Sequence, residues 1–268
     1  MAGDTTYTVE PPAAVHIHTV IFLHGRDSSS KEFADEFFES EASQPTDQPR
    51  TLRDLFPSVR WVFPSAPILQ SKRFGTDMSQ WFDMWSVENP AERPELQRPG
   101  LERSVEQILS IIKEQELLVP RERIFLGGIS QGFATAIATF FTDTREGFAG
   151  LIGLCSWMPV TFRNADYQSF GTSENPQNSP DNAQQRPPAV VESNRKTPIF
   201  LGHSADDDVV PIANGRELRD IVQSRRFQVE WREYEDGGHW INEPQGIDDI
   251  AHFMNSLMVN KRPESLED

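Results

Sequence analysis

Ile124-Phe125-Leu126-Gly127-Gly128-Ile129-Ser130-Gln131-Gly132 runs directly into Phe133-Ala134-Thr135-Ala136-Ile137-Ala138-Thr139-Phe140-Phe141. The first residues form a short apolar run of strand type, introduced at Arg123–Leu126, and the last form an apolar run of helical type. Between them lies Gly128–Gly132, a G-x-S-x-G pentapeptide, so the sequence puts Ser130 on a tight strand-to-helix turn. Such a turn strains the serine backbone, and the flanking glycines let neighbouring chain approach without a side-chain clash. The helix start behind the serine offers oriented N–H groups to a negatively charged oxygen. Without that context the glycines read as turn residues and Ser130 as an N-cap. The strand before and the helix after favour a nucleophile.

A serine hydroxyl is a weak nucleophile near neutrality and needs a base, itself oriented by an acid. On a strand-turn-helix serine the chain order is Ser, then Asp or Glu, then His. His203-Ser204-Ala205-Asp206-Asp207-Asp208-Val209-Val210-Pro211 follows a strand at Pro198–Gly202, and Asp236-Gly237-Gly238-His239 follows another at Gln228–Tyr234. The acidic triplet alone reads as a solvated turn, and Gly-Gly-His alone as an ordinary loop. Their order and strand-end placement join them to Ser130, because open α/β sheets bind ligands outside the carboxyl ends of their strands. The three aspartates are consecutive, so they cannot all face one histidine.

Further strands are expected at Val15–Leu23, Val59–Phe63 and Gly150–Cys155. Leu101, Val105, Ile108 and Ile112 recur at helical spacing, as do Ile247, Ile250, Ala251, Met254 and Leu257. Apolar strands alternating with helices predict an α/β fold with a mostly parallel sheet covered on both faces, here as one domain over residues 1–268. Ser86–Gly100, with three prolines, reads as a surface loop. Arg163–Lys196 is rich in Asn, Gln, Pro and Ser and reads as a long flexible insertion, either a lid beside the site or a neutral addition.

The 268 residues carry 25 basic and 41 acidic side chains, a formal charge of −16. An acidic surface repels nucleic acid and anionic lipid, so neither is an expected partner. Five of the cations are Lys, the rest Arg. No apolar run is long enough for a membrane span, and residues 1–12 lack the order of a signal peptide, so a cytoplasmic protein without stable membrane insertion is expected. Cys155 is the single cysteine. His16, His18, His203 and His252 lack metal-ligand spacing and read as structural. No metal and no cofactor is expected.

These segments resemble the carboxylesterase, phospholipase and acyl-protein thioesterase family of α/β-hydrolases. The likeness extends to Phe22-Leu23-His24-Gly25, Phe63-Pro64-Ser65-Ala66-Pro67, Trp81-Phe82-Asp83 and Ser156-Trp157-Met158-Pro159, nearly the whole chain in the family's order. It implies the α/β-hydrolase fold and a Ser130, Asp207, His239 triad, with Asp207 chosen because it stands four residues before Pro211 as in the family's Asp-x-x-Val-Pro pattern. It implies an oxyanion hole from the backbone N–H groups of Arg26 and Gln131, and an acyl or aryl pocket around Trp81, Phe82 and Trp157. Departures are present. Arg26-Asp27-Ser28 replaces the family's x-Gly-Asp, Trp157 replaces a glycine, and residues 163–196 have no counterpart in the common pattern.

The expected activity is hydrolysis of a carboxylic ester or thioester through an acyl-enzyme, on a small-molecule or acylated-protein substrate, by a monomer or homodimer. Two alternatives remain open: a small-molecule or lysolipid esterase or acyltransferase of a biosynthetic pathway, and a binding protein that keeps the fold without turnover.

Overall fold

The computed structural model describes residues 6–12, 15–143, 145, 147–163 and 196–259. Its strands are β1 (Thr6–Val9), β2 (His18–Leu23), β3 (Val59–Pro64), β4 (Ile68–Gln70), β5 (Asp77–Ser79), β6 (Ile124–Ile129), β7 (Gly150–Leu154), β8 (Ile199–Ser204) and β9 (Val229–Tyr234). Its helices are α1 (Ser30–Phe37), α2 (Leu52–Leu55), α3 (Gln97–Glu116), α4 (Gln131–Thr142), α5 (Val160–Arg163), α6 (Ile212–Ser224) and α7 (Gln245–Val259). Seven strands form one sheet in the order β1-β3-β2-β6-β7-β8-β9, and β4 pairs with β5 in a separate hairpin. Every neighbouring pair in the large sheet is parallel except β1 with β3. This is the α/β-hydrolase architecture.

Side-chain alternation along the strands builds two cores. Ile21 and Leu23 of β2 join Leu101, Val105 and Ile108 of α3, Ala134 and Ile137 of α4 and Leu218 and Val222 of α6 on one face. Val20 and Phe22 join Phe33 and Phe37 of α1 and Ile247, Ile250 and Met254 of α7 on the other. Since β2, β6, β7 and β8 are buried along their whole lengths, their sequences are apolar or glycine at most positions rather than alternating, with His18 and Thr19 of β2 and His203 and Ser204 of β8 as buried polar ends.

The six expected strands are present with their ends shifted by a few residues. Ser86–Gly100 is not all loop: after a 3₁₀ turn at Pro94–Leu96, α3 already starts at Gln97. Pro99 falls within the first helical turn, where its missing N–H has no intrahelical partner to lose. Of the expected insertion at 163–196, residues 164–195 lie outside the described residues.

Candidate active site

Ser130 sits at the end of β6 with φ 56° and ψ −127°, in a backbone region that costs energy for any residue with a Cβ. Its neighbours hold it there. Ser130 N–H donates to Leu154 O at 2.8 Å, and the Ser156 hydroxyl donates to Ser130 O at 2.7 Å. The flanking glycines are required by close backbone approach. A Cβ on Gly128 would lie 2.8 Å from Leu23 O, and one on Gly132 would lie closer still to the same oxygen. The turn is therefore wedged against the end of β2.

Gln131, the first residue of α4, is fully buried and works through both ends of its amide. Oε1 accepts from Trp81 N–H at 2.8 Å, and Nε2 donates to Phe82 O at 2.7 Å. The Trp81 indole donates to His24 O at 2.9 Å. His24 Nδ1 lies 2.7 Å from Gly25 O and Nε2 accepts from Ala66 N–H at 3.0 Å, so the proton sits on Nδ1. Burial pushes the His24 pKa down, outweighing the support from Gly25 O, and keeps the ring neutral. These contacts fix the Gly25–Arg26 turn beside the Ser130 turn. Among the described residues, the backbone N–H groups of Arg26 and Gln131 have no acceptor.

Asp207 follows β8 and is enclosed. Its Oδ1 accepts from the backbone N–H groups of Val209 (3.0 Å) and Val210 (2.8 Å), and its Oδ2 accepts from His239 Nδ1 at 2.8 Å. His203 Nε2 lies 3.2 Å from the same Oδ2 and 2.9 Å from Val210 O, which makes that nitrogen a donor. Burial pushes the Asp207 carboxyl up, but the bonds from His203, His239 and Val210 N–H, with the His239 ring close by, together hold the group well below the usual carboxylate range. It stays ionised and fixes the His239 proton on Nδ1, leaving Nε2 with a lone pair. Asp206 has a different use: its Oδ1 accepts from Gly238 N–H at 2.8 Å. Gly237 and Gly238 both have positive φ, 121° and 57°, as the sharp return of the chain to His239 requires.

Ser130 and His239 line one cavity of about 340 Å³, together with Gly25, Arg26, Phe33, Phe74, Met78, Val87, Val209 and Trp240 among others. No hydrogen bond joins Ser130 to His239 among the described residues; such contacts often tighten only around substrate. A larger groove of about 610 Å³ shares Ser28 with this cavity, but its lining holds no histidine and, of the acidic residues, Glu114. The smaller cavity is the one lined by both Ser130 and His239.

The expected pocket residues are elsewhere. Trp81, Phe82 and Trp157 have no exposed surface and do not line the cavity. They belong to the core packed around α3 and α4, and Trp81 and Phe82 are strapped to Gln131 by their own backbones. The apolar walls come instead from Phe74, Met78, Val87, Val209, Phe33 and Trp240. Phe74 and Val209 could have been found as apolar residues in otherwise polar loops. Ser156 and His203 gave no such signal, since their partners are a backbone carbonyl and a carboxylate brought close by folding.

Cys155, Asp207 and His239 offer three ligand-type atoms within 4.8 Å of one another, the one donor set of this kind among the described residues. Two of the three are already bonded together, and burial, then the negative charge of Asp207, push the Cys155 thiol far up and keep it protonated. The thiol is neither a nucleophile nor a ready metal ligand.

Residues 5–170 match the family model described as phospholipase/carboxylesterase. Residues 104–260, the part that carries Ser130, Asp207 and His239, also match that of the prolyl oligopeptidase family. An acyl-protein thioesterase 1 of Yarrowia lipolytica is 31% identical over 256 residues, 93% of this chain and 95% of its own. One from Gibberella zeae is 26% identical over 97% of this chain and 99% of its own. Among solved structures, Arabidopsis thaliana SOBER1 superposes with a TM-score of 0.68 at 20% identity, over 90% of this chain and 99% of its own. Acyl-protein thioesterase 2 of Zea mays gives 0.67 at 20% identity, over 94% and 98%. Taken with the sheet order and the turn at Ser130, these matches make the chain a member of the phospholipase/carboxylesterase family of α/β-hydrolases, a hydrolase of esters or thioesters.

Proposed function

We propose that Ser130, His239 and Asp207 act as nucleophile, general base and orienting acid, and that the backbone N–H groups of Arg26 and Gln131 receive the oxyanion. Ser130 Oγ attacks the carbonyl carbon while His239 Nε2 takes the hydroxyl proton. The tetrahedral oxyanion collapses, the C–O or C–S bond breaks, and His239 returns its proton to the leaving alcohol or thiol. Water then attacks the acyl-enzyme by the same route, releasing the acid and restoring Ser130. The carrying observation is that Asp207 holds the Nδ1 side of a histidine that lines the same cavity as a serine on a strained strand-helix turn. Removing one oxyanion donor at such a site costs about 2.7–4 kcal/mol of transition-state stabilisation.

The substrates proposed are small esters or acylated proteins, as the names of the relatives suggest. A cytosolic setting fits the single buried, unpaired thiol. Among the described residues no helix is long and apolar enough to cross a membrane.

A fluorophosphonate probe tests the assignment. Labelling mapped to Ser130, and lost in Ser130→Ala with the fold retained by circular dichroism, is expected. Labelling at another residue, or a Ser130→Ala variant that still hydrolyses esters at a tenth of the original rate, overturns it.

A further inference from the structure

The Arg26 side chain is a cation at the wall of the cavity that holds Ser130 and His239, and the groups it touches directly are neutral. Its Nε donates to Met78 Sδ at 3.1 Å and its Nη2 to Ser71 Oγ at 3.2 Å, while the guanidinium lies 5.3 Å from the centre of the Phe74 ring. Among the described residues it forms no ion pair. Its neighbour Arg73, which faces the same Phe74 ring, pairs with Glu88 at 3.6 Å. In a chain with 41 acidic and 25 basic residues, partners for a cation are plentiful, and this one is left with N–H groups to spare.

We infer that Arg26 is a specificity residue that receives a carboxylate of the substrate, so that the preferred ester or thioester carries a negative charge a few atoms from its scissile carbonyl. This rests on the hydrolytic reading above. The Arg26 backbone is in the turn assigned to the oxyanion, and Arg26 lines the same cavity as Ser130 and His239. Met78 and Ser71 engage Nε and Nη2, and the N–H groups of Nη1 and the second of Nη2 remain for a bidentate oxygen pair. Burial is the largest influence on Arg26 and works against its charge, with Asp83 and then Asp27 supporting it from a distance; a bound anion offsets that cost. Asp27 and Glu36 line the same cavity, so a singly charged carboxylate suits it better than a doubly charged phosphate.

The test uses matched esters and the full-length protein. One pair differs in the acyl group, 4-nitrophenyl hydrogen glutarate against 4-nitrophenyl valerate. The other differs in the leaving group, 4-carboxyphenyl butyrate against phenyl butyrate. A charge-assisted hydrogen bond predicts about tenfold or more higher kcat/KM for the charged member of one pair, which also tells the side on which the carboxylate lies. In Arg26→Met that ratio falls to near one, and Arg26→Lys recovers part of it. A ratio taken within each variant cancels any loss shared by both esters. Hydrolysis of all four esters with ratios near one in the wild type overturns the inference and leaves the hydrolase reading standing, whether or not Arg26→Met folds. A ratio that survives in Arg26→Met also overturns it, making Arg26 a tether for the hairpin. No turnover of any ester, with no probe labelling at Ser130, overturns the hydrolytic reading itself.

Discussion

His203 Nε2 lies 3.2 Å from Asp207 Oδ2, the oxygen that also receives the His239 ring at 2.8 Å, so a fully buried imidazole and a partly exposed one share a single carboxylate oxygen. In the proposed triad His203 is therefore a positioning residue, and it also braces the loop, since its Nε2 reaches Val210 O. Asp207 has a native pKa below its ordinary value, so its ionised form stabilises the fold. That contribution is complete above the ordinary carboxylate pKa of about 3.9 and is lost as pH falls toward the lower native value. His203→Ala removes one of the hydrogen bonds that lower it. The onset of acid unfolding, followed by circular dichroism, should move to higher pH. At neutral pH urea unfolding should report a loss of at least about 1.5–3 kcal/mol, the worth of a hydrogen bond to a charged group.

The three consecutive aspartates should separate by role. Asp207→Asn is expected to lower kcat by about 10⁴-fold through the wrong imidazole tautomer, with little change in fold. Asp206 holds Gly238 N–H through a carboxyl oxygen, which an amide oxygen can replace. Asp206→Asn should therefore be mild, and Asp206→Ala should loosen the His239 loop and lower kcat by several-fold. Asp208 is exposed and makes neither contact, so Asp208→Asn should be near neutral. A larger loss at Asp206→Asn or Asp208→Asn than at Asp207→Asn would shift the acid.

The walls of the cavity give a third expectation. Phe74 is 54% exposed, lines the cavity and has the guanidinium groups of Arg26 and Arg73 at 5.3 and 5.4 Å from its ring centre. Phe74→Ala should raise KM for long-chain acyl esters several-fold, and each cation–π pair it removes should cost about 0.5–1 kcal/mol of stability. Trp157→Phe should do the reverse, lowering Tm through a void in the core and leaving chain-length preference unchanged. A changed chain-length profile in Trp157→Phe would return that ring to the pocket.

The central strands and Ser130 were legible because their signals are local. A fully buried parallel strand must be apolar at nearly every position, and a serine wedged between strand and helix needs glycines on both sides. The edge strand β1 left no such trace, since three of its four residues are only partly buried and it pairs antiparallel with β3. Helix α6 shows three buried residues in thirteen, too thin a stripe to declare itself. Trp81 and Phe82 misled for a related reason. An aromatic pair beside a site has the same composition whether it faces substrate or core, and the deciding contacts run through backbone atoms to Gln131, which no side-chain pattern encodes.

Those contacts supply the last prediction. In the proposed mechanism Gln131 contributes its backbone N–H, while its side chain bridges Trp81 N–H and Phe82 O inside the core. Gln131→Leu keeps the backbone donor and similar volume but leaves both of those buried groups without a partner. Each orphaned group costs about 1–3 kcal/mol, so urea unfolding should show a loss of about 2–6 kcal/mol. Trp81 also anchors His24 O, and through it the turn that holds Arg26, so the two halves of the oxyanion site should lose their register. The expected result is a fall in kcat larger than any change in KM, with Ser130 still labelled by a fluorophosphonate, because the nucleophile and its base remain in place. Gln131→Glu sets a buried carboxylate oxygen against Phe82 O, so it should be at least as destabilising as Gln131→Leu. Unchanged stability in Gln131→Leu would show that the 81–82 segment is held by its packing alone.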